Sequence, residues 1–261
     1  MAADLSQKTI LVTAPDAYAE KLISLIRQFN GLPVHFPAIQ TYIKPDLHDL
    51  TKHLQNIRTY PFVVLPSRTA IDAFFKAART IAVPIDWSHT AFFAFGNDQN
   101  YLQEQYHIAV KYRPSESGPQ GIVSYFETHK ASENNKVLVV KPEVVGVPEP
   151  NVIPNFLLAL KNVNMEPVSC VGYITKARHL EAFPEIMELI ERRQIDRIAF
   201  TSTAEIMAVL KSVSAAQLNQ FQIACFGPYT GANAVKLGLK PAYIGTAYAD
   251  FKDFVIGMAN I

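Results

Sequence analysis

The 261-residue sequence has two cysteines, one tryptophan and almost no net charge, with 24 basic residues against 23 acidic ones. That balance excludes a global electrostatic pull onto nucleic acid or an anionic membrane, so any anionic partner has to be held by local groups. Cys170 and Cys225 lie in the apolar runs SCVGY and IACFG without Cys-x-x-Cys spacing. They read as buried reduced thiols rather than a redox pair. The seven histidines are scattered, with no pair at i, i+4, and no metal site is expected. No apolar run approaches the roughly 18 residues that span a bilayer. Met1 to Lys8 lacks the basic start and apolar core of a signal peptide, so a cytoplasmic protein is expected. The sequence holds no Ser-His-Asp order, no Gly-x-Gly-x-x-Gly and no P-loop, and nucleotide chemistry is disfavoured.

What the sequence does contain is a folded composition, 49% hydrophobic and 18% charged, long enough for two cores. Short β-rich runs alternate with helical patterns, which predicts βαβ units and mostly parallel sheets. The pattern also occurs twice. TILVTAP (Thr9 to Pro15) has a partner in KVLVVKP (Lys136 to Pro142), and each is followed by a helical segment, Lys21 to Phe29 and Val152 to Leu160. YPFVVLPSRTAIDAFF (Tyr60 to Phe75) matches IDRIAFTSTAEIMAVL (Ile195 to Leu210), and Thr90 to Tyr112 matches Phe221 to Tyr243. Three matches in one order, each about half the chain apart, imply two copies of one α/β unit. The runs Pro33 to Pro45 and Pro167 to Thr175 begin at a proline and are partly polar. They read as exposed or edge extended chain able to pair as a bridge between domains.

Candidate binding groups cluster at strand ends, because ligands of open α/β sheets gather at the carboxyl ends of strands, where amides of the next helix face an anion. Ser67 and Ser202 occupy that place, followed by Thr69 and Thr203. The plainer reading is that each hydroxyl caps its helix, and the two are compatible. In Gly227-Pro228-Tyr229-Thr230, glycine would permit a tight turn, proline would set the helix entry, and Thr230 would offer a hydroxyl or a cap. Arg68, Lys141, Lys176 and Arg178 lie near strand ends or the bridge and suit carboxylates, or serve as solvated surface. Tyr173 has Ile39 as its counterpart in the other copy, so its phenol breaks the duplication; as a plain strand aromatic it would need no further role.

VTAP (Val12 to Pro15), LPSRTAI (Leu65 to Ile71), GYIT (Gly172 to Thr175), FTSTAEI (Phe200 to Ile206) and FGPYTGANAVKLGL (Phe226 to Leu239) stand in an order and spacing that resembles the uroporphyrinogen-III synthase family over essentially the whole chain. The sequence departs from that pattern at Ala14, where the family has arginine, at FGNDQN (Phe95 to Asn100), which lacks Thr-Ala, at Lys141-Pro142, where many members have Arg-Gly, and at Gly231, which replaces alanine. The resemblance implies two similar doubly wound parallel-sheet domains joined by a two-stranded bridge, with a cleft between them. One domain would comprise residues 1–38 with 176–261 and the other residues 45–166, with 39–44 and 167–175 bridging. It further implies a cofactor-free, monomeric enzyme that cyclises a linear tetrapyrrole, hydroxymethylbilane, with inversion of the terminal ring and loss of water. Tyr173 would be catalytic. Thr13, Ser67, Arg68, Thr69, Lys141, Thr175, Ser202, Thr203, Gly227, Tyr229 and Thr230 would bind substrate. The rival expectation is a non-catalytic tetrapyrrole- or anion-binding protein on the same fold.

Overall fold

The computed structural model describes residues 4–96, 98–110, 112, 118–129, 136–246 and 250–261; Asn97, in the departing turn, lies outside them. Ten strands occur among the described residues: β1 (Thr9–Val12), β2 (Leu32–His35), β3 (Ile39–Ile43), β4 (Phe62–Leu65), β5 (Ala91–Ala94), β6 (Lys136–Val145), β7 (Glu166–Ala177), β8 (Arg197–Phe200), β9 (Gln222–Cys225) and β10 (Pro241–Ile244). The chain divides into two compact units. The first comprises Met1–Gln40, Val145–Pro150 and Lys176–Ile261, and the second Thr41–Val144 and Asn151–Thr175.

The first unit carries the sheet β10-β9-β8-β1-β2, in which every neighbouring pair is parallel. Counted along the chain within the unit, the order is that of a doubly wound sheet whose direction of growth reverses between β1 and β8. At such a reversal the connecting helices leave on opposite faces and open a crevice beyond the strand ends. Both faces are covered, as parallel sheets require. Leu11, Ile198, Phe200, Ile223 and Cys225 pack on one side. The alternate residues Ile10, Val12, Ala199 and Ala224 pack on the other, under Phe254 and Met258 of the C-terminal helix Phe251–Ala259. Arg197, buried in β8, bonds Gln222 Oε1 at 3.0 Å and the carbonyls of Met258 and Ile261, tying that helix's end to the sheet. The first helix runs Asp16–Gln28, five residues earlier than its apolar pattern suggests, because Pro15 at its N-cap fixes an extended entry.

The second unit carries β3-β7-β6-β4-β5, with β6, β4 and β5 parallel. Matching the copies places β6 on β1, β4 on β8 and β5 on β9, so the order reverses here between β6 and β4. Its strands also alternate between two clusters, Leu65, Leu138 and Val140 facing one side and Val64, Val137 and Val139 the other. The run Pro33 to Pro45 forms two edge strands, β2 of the first sheet, where proline is tolerated, and β3 of the second. The Pro167 run behaves differently from an exposed or edge segment: β7 lies inside the sheet between β3 and β6. Gly172 permits that fit, since a Cβ there would stand 2.5 Å from Val140 Cγ1. No helix of the described residues is long and apolar enough to cross a membrane.

Candidate functional site

In the first unit the strand ends at the reversal point bring together Thr13 after β1 and Thr201, Ser202 and Thr203 after β8. Ser202 caps the helix Thr203–Val209 in an extended conformation, its Oγ accepting from Glu205 N at 3.4 Å. The carboxylate of Glu205 then receives Thr201 N–H at 2.8 Å, the Thr13 hydroxyl at 2.8 Å, the Ser202 hydroxyl at 2.9 Å and the Thr201 hydroxyl at 2.5 Å. Glu205 is wholly buried. Burial pushes its carboxyl above the ordinary range, and the bonds from Thr201, Thr13 and Ser202 pull the other way. Its charge adds to the burial that pushes the Cys225 thiol up to about 12, so that cysteine stays protonated and inert. Cys170, likewise buried and free, is pushed up to about 11.

The hydroxyls of Thr13 and Ser202, expected to face a substrate, therefore point at the protein's own carboxylate. Thr203 is buried with its Oγ1 unsatisfied. Beside them, β9 leads into the helix Pro228–Lys236, whose first N–H groups have no intrahelical acceptor. Tyr229 is exposed there, and Thr230 Oγ1 reaches Thr201 O at 3.4 Å. At Gly227, where a tight turn is expected, the backbone is extended, with φ −151°, and among the described residues nothing stands within 4 Å of where a Cβ would be. The glycine leaves open space in front of the helix, not a conformation closed to other residues. Also in this unit, Lys176, Arg178, His179 and Phe183 line a concavity of about 360 Å³, with Arg178 5.1 Å over the Phe183 ring.

In the second unit Ser67 caps the helix Arg68–Ala78, its Oγ accepting from Ala70 N at 3.2 Å. Arg68 is directed to Asp98, Nε to Oδ1 at 3.0 Å, and lies 5.1 Å over the Tyr101 ring. Burial holds the Asp98 carboxyl above its usual range despite Arg68. Thr69 Oγ1 donates to Thr41 Oγ1 at 3.3 Å. Lys141 sits half-buried on β6. Tyr173 and Thr175, on β7, are both buried, Tyr173 only 6% exposed within the cluster that holds Cys170 and Val140. No cluster of the described residues could hold a metal ion. Glu205 and Thr201 are absent from the candidates that the sequence patterns suggest. Their signal is nonetheless present as Ser-x-x-Glu ahead of an apolar run, the pattern of a helix start.

Comparisons with known proteins agree with this layout. The family model described as Uroporphyrinogen-III synthase HemD matches residues 20–250. A porphyrin biosynthesis protein HemD of Ruminiclostridium josui is 21% identical over 232 residues, covering 88% of this chain; the chain spans only 44% of that relative's length. Among solved structures, a mutant uroporphyrinogen III synthase of Thermus thermophilus superposes with TM-score 0.66 at 13% identity, covering 97% of this chain and 98% of that one. The uroporphyrinogen-III synthetase of Helicobacter pylori gives 0.54 at 12% identity, covering 97% and 100%. These likenesses establish the two-domain α/β fold, and with the family match across most of its length the chain belongs to the uroporphyrinogen-III synthase HemD family.

Proposed function

We propose that this chain, acting as a cytoplasmic monomer, converts hydroxymethylbilane to uroporphyrinogen III, eliminating water as the terminal ring is inverted and the macrocycle closed. The observation that carries the reading is the turn Gly227–Thr230 in a chain of this family. It sets free helix amides, an exposed phenol and open space side by side at a strand end, donors suited to a substrate rich in carboxylates. The near-neutral composition fits such recognition, in which amides and hydroxyls hold the anions and few cations are fixed. Thr13, Ser67, Arg68, Thr69, Ser202 and Thr203 flank strand ends, Lys141 and Thr175 lie on β6 and β7, and together they shape the surface around the substrate, through backbone groups where their side chains are already engaged. Tyr173 assists departure of the substrate hydroxyl as a hydrogen-bond donor. Because its ring is embedded in the core, the phenol is held in one orientation, which favours a positioned donor. The carbocation-like intermediate is reactive by itself, so the chief catalytic task is conformational, keeping one ring geometry against another.

The test is incubation of the protein with hydroxymethylbilane and resolution of the product isomers. Type III enrichment above the spontaneous type I background is expected, and its absence would sink the enzyme reading in favour of a binding protein. Tyr173→Phe should lower turnover at least about tenfold while changing stability by no more than about 1 kcal/mol; an unchanged rate removes Tyr173 from the reaction.

A further inference from the structure

The duplicated fold allows one reversal point to be compared with the other, position by position. Matching the helix caps Ser202 and Ser67 sets Thr201 opposite Pro66 and Glu205 opposite Ala70, and matching β1 with β6 sets Thr13 opposite Val140. Three polar residues stand in one copy where three apolar ones stand in the other. In the polar copy all three belong to one network, with Glu205 at its centre receiving one amide and three hydroxyls between 2.5 and 2.9 Å. No Lys or Arg pairs with this carboxylate among the described residues. A buried carboxylate without a cation is costly unless donors converge on it, and convergent donors are what a strand-end crevice offers an anion. A capping box accounts for the Ser202–Glu205 pair alone, and it would place the carboxylate on the N-cap amide. Here the carboxylate takes the amide one residue earlier and gathers a hydroxyl from a different strand.

We infer that Glu205 is a built-in carboxylate filling the anion cradle at the β1–β8 reversal point. It engages the hydroxyls of Thr201, Ser202 and Thr13, the last shared with the Ala199 carbonyl at 2.9 Å, closes this strand end to an external carboxylate, and acts as a positioning residue for the adjacent turn. The last role runs through Thr201, whose N–H and hydroxyl it holds and whose carbonyl accepts the Thr230 hydroxyl. Among the described residues, the copy with Ala70 has no such occupant. The part of this inference that concerns substrate rests on the function proposed above.

Two variants test it. Glu205→Ala vacates the cradle, and about 0.1 M formate should then raise the melting temperature by several degrees over matched chloride, with no such rise in the unsubstituted protein. If Glu205→Ala does not fold in chloride, the readout is recovery of folding in formate. An equal response in both proteins, or none in Glu205→Ala, overturns the cradle. Glu205→Gln keeps the shape: its carbonyl oxygen takes the Thr201 N–H, while its amide N–H groups turn neighbouring hydroxyls into acceptors and release their protons outward. KM for hydroxymethylbilane should fall about three- to tenfold with kcat within about threefold, the worth of one regained hydrogen bond. A KM unchanged or raised overturns the exclusion of substrate, since a merely structural residue would not improve binding when altered. If the unsubstituted protein shows no type III enrichment, the functional reading fails on its own, and the formate experiment still decides whether Glu205 fills a cradle.

Discussion

The two reversal points share a backbone plan and differ in what occupies them. At the β1–β8 end a carboxylate with no cation among the described residues is surrounded by hydroxyls; at the β6–β4 end the equivalent positions are apolar, and Arg68, next to the cap, gives its guanidinium to Asp98. The same Ser cap appears in both. A duplicated scaffold can therefore keep its strand-to-helix turns while exchanging the contents of the crevice, provided that the exchange is made at all contacting positions together.

Moving the acid to the other copy should break that arrangement most severely. Ala70→Glu would bury a carboxylate against Val140 and Phe74, where proline and valine replace the threonine donors. A loss of about 3–5 kcal/mol in urea unfolding is expected, the cost of an uncompensated buried charge. Adding Pro66→Thr and Val140→Thr should recover part of it. Tolerance of Ala70→Glu alone within about 1 kcal/mol would show that the copies do not differ in their donors.

The next effect is steric. Gly172→Ala would place a Cβ 2.5 Å from Val140 Cγ1, 3.3 Å from Ala73 Cβ and 3.5 Å from Leu50 Cδ2, all in a closed core. Overpacking of this kind costs about 1–3 kcal/mol. If Val140 holds β7 close to β6, Val140→Ala should partly rescue Gly172→Ala.

A smaller effect distinguishes the two carboxyl environments by pH. Burial raises the folded pKa of Asp98 above its unfolded value, so its contribution is fully present below about pH 4 and is lost as pH rises through the raised value. Asp98→Asn should flatten the fall in stability that begins near pH 4 and runs through the raised value, and leave stability above that range equal or slightly higher, by unfolding at a series of pH values. An unaltered slope would assign the titration to another group. Glu205 has the same sign, its folded pKa being raised by burial, and Glu205→Gln should remove its separate contribution.

These contrasts mark how far the sequence could be read. The duplication, the parallel order and the strand-end location of Ser67, Ser202 and Thr230 follow from periodicity and repetition, since local patterns decide them. The interior place of β7 was hidden because Pro167 at its start is the mark of an edge strand, and only the packing of Gly172 against Val140 reveals otherwise. Gly227 has an ordinary extended φ, so its place at the helix entry is legible in the sequence while its backbone conformation is not. Glu205 was illegible alone because Ser-x-x-Glu is a common helix start. Its meaning depends on Thr13, far away in sequence, so it emerges only when the copies are compared at three positions at once.

The smallest effect concerns Gly231, which stands where the family pattern has alanine. A Cβ there would meet Ile244 Cδ1 at 2.6 Å and its Cγ atoms at 2.8 Å, a tighter approach than a side chain accepts. Unlike Val140, however, Ile244 is 41% exposed and can rotate away. Alanine in the helix Pro228–Lys236 would also gain roughly 0.5–1 kcal/mol in backbone entropy. The two contributions oppose each other, so Gly231→Ala should change stability by no more than about 0.5 kcal/mol. In an Ile244→Ala background the clash is gone and the entropy gain should appear alone, making the same substitution stabilising by about 0.5–1 kcal/mol. A double-mutant cycle in urea measures this directly. Coupling near zero would mean that Ile244 does not explain the glycine, whereas a positive coupling shows that Gly231 and Ile244 are fitted to each other, as Thr13, Thr201 and Glu205 are in the network beside them.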